Sequence, residues 1–175
     1  DLYFGLWYPV LVAAATAVAA GKGAAVISGA GSGIGRAVAL ALAERGHSLV
    51  LLGRRAEPLT ATLRAAGSKG IAVVADVRDG RAVQLAVEQG IAAGFRPQVV
   101  VPSAGVACVA PFGELEPETW RAALETNLLG AVFLYRACLP GLLRSGGHLF
   151  SLLSVAAKKG FPDWSAYAAS KWGLR

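Results

Sequence analysis

From Ala24 onward the sequence alternates short β-branched runs with longer stretches of helical spacing, and that alternation leaves few folds open to it. Strand-like runs stand at 24–28 (AAVIS), 48–52 (SLVLL), 71–75 (IAVVA), 98–101 (QVVV) and 148–153 (HLFSLL). Helical patterns fill about 33–45, 56–66, 80–93 and 117–139. A strand–helix–strand rhythm of this kind predicts an α/β fold, a doubly wound parallel sheet with right-handed crossovers. Such a sheet is buried on both faces, and the composition allows it: 55% of the 175 residues are hydrophobic and only 16% charged. Pro117 suits the first turn of the longest helix, and Pro140-Gly141 is expected to end it.

The first 21 residues stand apart. From Leu2 to Gly21 no side chain is charged, and about twenty helical residues span roughly the 30 Å of a bilayer's hydrocarbon. Tyr3, Phe4, Trp7 and Tyr8 gather at one end as interfacial aromatics do, and Lys22 follows the other. Against an anchor stand the alanines and Pro9; a cleaved signal peptide lacks its basic start here, and a hydrophobic extension docked on the domain is the remaining reading. The expected organisation is therefore 1–21 as a hydrophobic segment and 22–175 as the folded domain. Seventeen basic against eleven acidic side chains give +6, but the basic residues are scattered, which argues against nucleic acid and for an anionic cofactor or membrane surface. Cys108 and Cys138 lack the spacing of a disulfide framework or a zinc site, and no metal is expected. With no Met, an opening Asp1 and an end at Arg175 inside a helical pattern, the chain reads as a fragment.

The first strand-to-helix turn reads Ser28-Gly29-Ala30-Gly31-Ser32-Gly33-Ile34-Gly35. Glycines there let the backbone approach a pyrophosphate and place it on a helix N-terminus, so Ser28, Gly29, Ser32, Gly33, Ile34 and Gly35 are candidate cofactor-binding residues in a Rossmann-type arrangement. After the second strand, where an acidic residue would bind a ribose 2′-OH, the chain has Gly53-Arg54-Arg55. Two guanidinium groups without a carboxylate suit a 2′-phosphate, pointing to NADP(H) over NAD(H); the other reading makes Arg54 and Arg55 solvated charges at a helix entry. Near the end stands Tyr167-Ala-Ala-Ser-Lys171, which a helix brings to one face one turn apart. A neighbouring ammonium favours a phenolate, which makes such a tyrosine a usable acid and base. Ser154 precedes it at a strand end, and Asn127 lies further upstream.

Taken together these motifs resemble the short-chain dehydrogenase/reductase family: SGAGSGIG is similar to its TGxxxGxG, followed in order by Asp76-Val77, Asn127-Leu-Leu-Gly, Ser154 and Tyr167-xxx-Lys171, over about Ala24 to Arg175. The resemblance implies an oxidoreductase in which Tyr167 gives or takes the substrate proton and Ser154 hydrogen-bonds the substrate oxygen. Lys171 would hold the nicotinamide ribose, Asn127 would position a water in a proton relay, and Asp76 with Val77 would meet the adenine. Where the family has NNAG this chain has Pro102-Ser103-Ala104-Gly105, so the bonding of the first asparagine must be rearranged, while Ala104 and Gly105 still permit close approach to the cofactor. Family members are longer, and the C-terminal strands with their substrate loop are expected to be missing from this chain.

The expected function is interconversion of a carbonyl and an alcohol by hydride transfer with NADP(H), on a small substrate that an anchored enzyme would take from lipophilic material. The alternative is a dinucleotide-binding module without turnover, a redox sensor or scaffold. A membrane-associated protein with its domain facing the cytoplasm is expected if 2–21 is an anchor, a cytoplasmic one otherwise; a homo-oligomer of the full-length form is left open. His47 and His148 read as surface or locally bonded residues, Lys158-Lys159 as a solvated loop, and Trp120, Trp164 and Trp172 as packing residues.

Overall fold

The computed structural model describes residues 23–175; the hydrophobic segment expected at 1–21, with its membrane, signal and docked readings, lies outside them. The elements run β1 (Ala24–Ser28), α1 (Gly33–Glu44), β2 (Ser48–Gly53), α2 (Ala56–Ala66), β3 (Gly70–Val74), α3 (Gly80–Ala92), β4 (Pro97–Pro102), α4 (Pro117–Leu124), α5 (Gly130–Ser145), β5 (His148–Leu149) and α6 (Ser165–Leu174). Every pairing is parallel and the order is β3-β2-β1-β4-β5, so the winding reverses between β1 and β4. In such sheets the crevice beyond the strand C-termini at that reversal is the natural ligand position.

The strand period of two sorts the core into two layers. Val26, Val50, Leu52 and Val100 face α3 and α5 through Val83, Val87, Leu134, Cys138 and Leu142. Ala25, Ile27, Leu49, Leu51, Val99 and Val101 face α1 and α2 through Val38, Leu42 and Leu59. Complete burial of a valine or isoleucine is worth about 1.5–3 kcal/mol, so Val26 in one layer and Ile27 in the other anchor β1 to both. Burial also pushes the Cys138 thiol up to about 12, leaving it an inert core group.

Three sequence expectations are corrected. The helix does not end at Pro140-Gly141: the stretch from Pro117 to Ser145 is continuous, with a π-turn over Glu125–Leu129, and stops at Gly146 in the left-handed region (φ 64°). Pro140 is exposed, where water can take the carbonyl it leaves unpaired, and Leu142 beyond it is buried in the core. By length and composition this stretch is apolar enough to cross a membrane, yet its Leu134, Cys138 and Leu142 side lies against the sheet. Trp172 is not a packing residue, being 48% exposed beside the Arg175 guanidinium.

The third correction is β5, expected over 148–153 and paired only at His148 and Leu149. The cause sits on the neighbouring strand. Val100 pairs with Leu149, and its carbonyl accepts from Phe150 N at 2.9 Å. Along a parallel ladder the next donor to β5 is the residue two further on, and that residue is Pro102, which has no N–H. The Phe150 carbonyl it would have met accepts instead from the Tyr135 hydroxyl of α5 at 3.0 Å, and that hydroxyl oxygen lies 2.8 Å from Ser151 Oγ. Since the single phenolic proton is committed to Phe150, Ser151 is the donor in the second bond.

Tyr135→Phe therefore strips the Phe150 carbonyl of its donor, and we expect a loss of about 1–3 kcal/mol in urea unfolding. Adding Pro102→Ala in that background should recover part of it by restoring a backbone donor; no recovery would show that the ladder is not what stops at Pro102.

Candidate functional site

The crevice at the winding reversal begins with the turn between β1 and α1. Gly29 has φ 65°, and a Cβ there would stand 2.7 Å from Ala104 N, so only glycine lets the turn lie against the chain leaving β4. A Cβ on Gly35 would overlap the Gly29 carbonyl oxygen, which brings the first turn of α1 flush with the loop. Gly33, at φ 50°, has nothing within 4 Å of where its Cβ would be. The Ser32 side chain makes no capping bond and no acidic residue stands in the first turn of α1, so the N–H groups there are left for an anion. This cradle fits a dinucleotide pyrophosphate.

On the β4 side Pro102 is the last residue of the strand, paired with Ser28, rather than the start of a loop. The chain leaving β4 is tied to β1: Ser103 N donates to Ser28 O at 3.2 Å and Ala104 N to Ser28 Oγ at 3.3 Å. Gly105 follows, its missing side chain leaving room 3.3 Å from Asn127 Oδ1.

Asn127 lies inside the π-turn and is 2% exposed. Its Oδ1 accepts from Val106 N at 2.8 Å, and its Nδ2 donates to Val106 O at 2.9 Å and to Ser170 Oγ at 2.9 Å. Ser170 in turn donates to Tyr167 O at 2.7 Å. One carboxamide thus ties the loop after β4 to α6, and the π-turn is the local rearrangement of the long helix at which it does so. Ser170 escaped the sequence reading; its signal was a small polar residue three places after Tyr167, the spacing of a back-bonded helical serine.

On α6, Tyr167 and Lys171 share a face as the spacing required, and Lys171 Nζ stands 5.8 Å from the Tyr167 ring centre. Lys171 is 8% exposed and donates to Leu152 O at 2.8 Å, two residues before Ser154. Burial pushes its ammonium down to about 8. Ser154 opens the turn Val155–Ala157 and accepts from Ala156 N at 3.2 Å, which leaves its own proton to donate. Trp164 packs edge-on to Tyr167 with ring centres 5.3 Å apart.

At the far side of the crevice Arg54 and Arg55 are exposed after β2. Val77 is buried against Gly130, and Asp76 is gripped by Arg78. His47 is buried, with Nδ1 3.3 Å from Gly23 O. A cavity lined by Gly23, Ser48, Arg96, Gln98 and Ser145 opens at the opposite end of the strands and holds none of the candidate residues. No metal-ligating cluster occurs among the described residues.

A family model described as short chain dehydrogenase matches residues 23–175. The chain belongs to this family. An oxidoreductase of Botryotinia fuckeliana is 34% identical over 141 residues, covering 77% of this chain and 52% of its own length. Two solved structures superpose closely. An alcohol dehydrogenase of Thermococcus sibiricus complexed with 5-hydroxy-NADP has a TM-score of 0.82 at 29% identity, over 87% of this chain and 66% of its own. A metagenomic short-chain oxidoreductase in complex with NADP has a TM-score of 0.80 at 34% identity, over 87% and 70%. The chain spans about half the length of the curated relatives it matches.

Lys171 has a stability signature. Its ammonium is deprotonated near pH 8 when folded and near the ordinary 10.5 when unfolded, so the unfolded chain holds more protons between those values and stability rises with pH across that window. Lys171→Met removes the desolvation cost. We expect it to stabilise the fold by about 1–3 kcal/mol at pH 7, with the gain fading by about pH 10.5, in urea titrations at stepped pH.

Proposed function

We propose that this chain carries the cofactor site and the proton-transfer residues of an NADP(H)-dependent oxidoreductase that interconverts a carbonyl and an alcohol. The observation that carries the reading is the placement of Lys171: a buried ammonium, fixed by the Leu152 carbonyl, beside the Tyr167 ring and next to the segment bearing Ser154. Burying an unpaired charge is costly, and a cation so held serves chemistry rather than stability.

The glycine turn from Ser28 to Gly35 would hold the dinucleotide, which when bound would supply or accept the hydride. Ser154 donates its free proton to the substrate oxygen and orients it; Tyr167 gives a proton to that oxygen in reduction and removes it in oxidation. Lys171 favours the phenolate left behind, and Asn127 keeps the β4 loop and α6 in register around it. Arg54 and Arg55, with Gly53 in place of a carboxylate, favour the 2′-phosphate of NADP(H), and the two solved relatives bound to NADP or 5-hydroxy-NADP support that choice. Exposed Val106, Val109, Leu153 and Val155 flank Ser154 and the β4 loop in sequence, which suits a lipophilic substrate. The reading places residues 2–21 in a membrane with the domain in the cytoplasm.

Tyr167→Phe in the full chain should leave NADPH affinity within about twofold and remove most turnover. Retention of more than about a tenth of kcat/KM, a barrier loss under roughly 1.4 kcal/mol, would overturn the proton-transfer assignment. For the membrane placement, the intact chain should resist carbonate and high-salt extraction and require detergent; recovery in the soluble fraction would favour a docked extension.

A further inference from the structure

Between described residues the structure holds one carboxylate–guanidinium ion pair, Asp76 with Arg78, and it stands at the cofactor end of β3. The grip is unusually complete for neighbours two apart. Asp76 Oδ1 accepts from Arg78 N at 3.0 Å and from Arg78 Nε at 3.1 Å; Oδ2 accepts from Nε at 3.1 Å and from Nη2 at 2.7 Å. An exposed pair of this kind contributes little to stability, since Arg78 is 45% and Asp76 31% accessible. Its place is what matters. β2 and β3 pair through Gly53 and Val74, so Arg54 and Asp76 leave adjacent strand ends on the same side of the crevice.

That neighbourhood creates a conflict. A 2′-phosphate held by Arg54 would find a second negative charge nearby, and the same carboxylate is a competing partner for the Arg54 guanidinium. We propose that Arg78 is a specificity-determining residue for the dinucleotide: by engaging both oxygens of Asp76 it keeps that carboxylate from repelling the 2′-phosphate and from capturing Arg54. The inference rests on the NADP(H) reading above and deepens it. The electrostatics agree, because the Arg78 hydrogen bonds hold the Asp76 carboxyl below its ordinary range and Arg54 adds a smaller push in the same direction, so Arg54 is within electrical reach of Asp76. Glu125 is the other carboxylate that Arg78 feels, and it too would lose its compensating charge if Arg78 were removed.

The test is the ratio of dissociation constants for NADPH and NADH, measured by calorimetry on the full chain at low salt, without turnover. Arg78→Ala should lower the NADPH preference about three- to tenfold, from uncompensated like charges at close range, while NADH affinity changes by less than about twofold. Asp76→Asn in the Arg78→Ala background should return the ratio to within about twofold of the parent, because the asparagine oxygen can still accept from the residue 78 backbone but carries no charge. Arg78→Lys should fall between, keeping the charge and losing the fork. An unchanged ratio in Arg78→Ala, equal loss for both cofactors, or failure of Asp76→Asn to restore the ratio would each overturn this inference while leaving the NADP(H) reading standing. A parent chain that binds both cofactors equally would overturn that reading, and this inference with it.

Discussion

The close approach of Gly29 to the Ser103–Ala104 peptide fixes where everything else in the site can stand. β1 is buried on all five residues and cannot shift without disturbing both core layers, so the turn that follows it is a rigid reference. Because Gly35 abuts Gly29, α1 inherits that reference and presents its N-terminus to the crevice; because Ser28 accepts from Ser103 and Ala104, so does the chain leaving β4. From there Val106 passes it to Asn127, and Asn127 to Ser170 on α6. The proton-handling residues are positioned by a succession of short polar contacts that starts at a glycine.

This succession has a physical cost that the rest of the molecule offsets. It places a buried carboxamide, a buried hydroxyl and a buried ammonium within a few residues of one another in space, and each needs partners to be tolerable. Asn127 has its partners in backbone and serine, Ser170 in a carbonyl and a carboxamide. Lys171 has only one carbonyl and the face of an aromatic ring to offset its loss of water, and burial leaves its proton held less firmly than an ordinary lysine's. The two leucine- and valine-rich layers supply the stability that the site spends.

Much of this was legible in the sequence where the chemistry is local. The glycine turn, the i, i+4 placement of Tyr167 and Lys171, the parallel winding and the tightness at Ala104 follow from residues near each other in the chain, and four of the five strands lie within a residue of the expected bounds. What escaped depends on partners distant in sequence. β5 stops early because of a donor missing on Pro102, some fifty positions upstream, and a hydroxyl on Tyr135 that reads as an ordinary helical aromatic. The π-turn at Asn127 is coupled to Val106 and Ser170, neither of which marks it locally. The helix outlasts Pro140 because Leu142 has a core to enter, and periodicity alone does not show that. Arg78 was invisible for the opposite reason: its partner is two residues away, but its meaning depends on Arg54 across the strand pair.

The hydroxyl that closes β5 has one more consequence. Burial pushes the Tyr135 phenol above its ordinary range, whereas burial pushes the Lys171 ammonium below its own. Both groups hold the same short segment, one through Phe150 and the other through Leu152. As a solution is made alkaline, the lysine surrenders its proton long before the tyrosine does. Alkali thus discharges this part of the molecule before it loosens it, and between those two events the segment carrying Ser154 keeps its shape with its electrical character already changed.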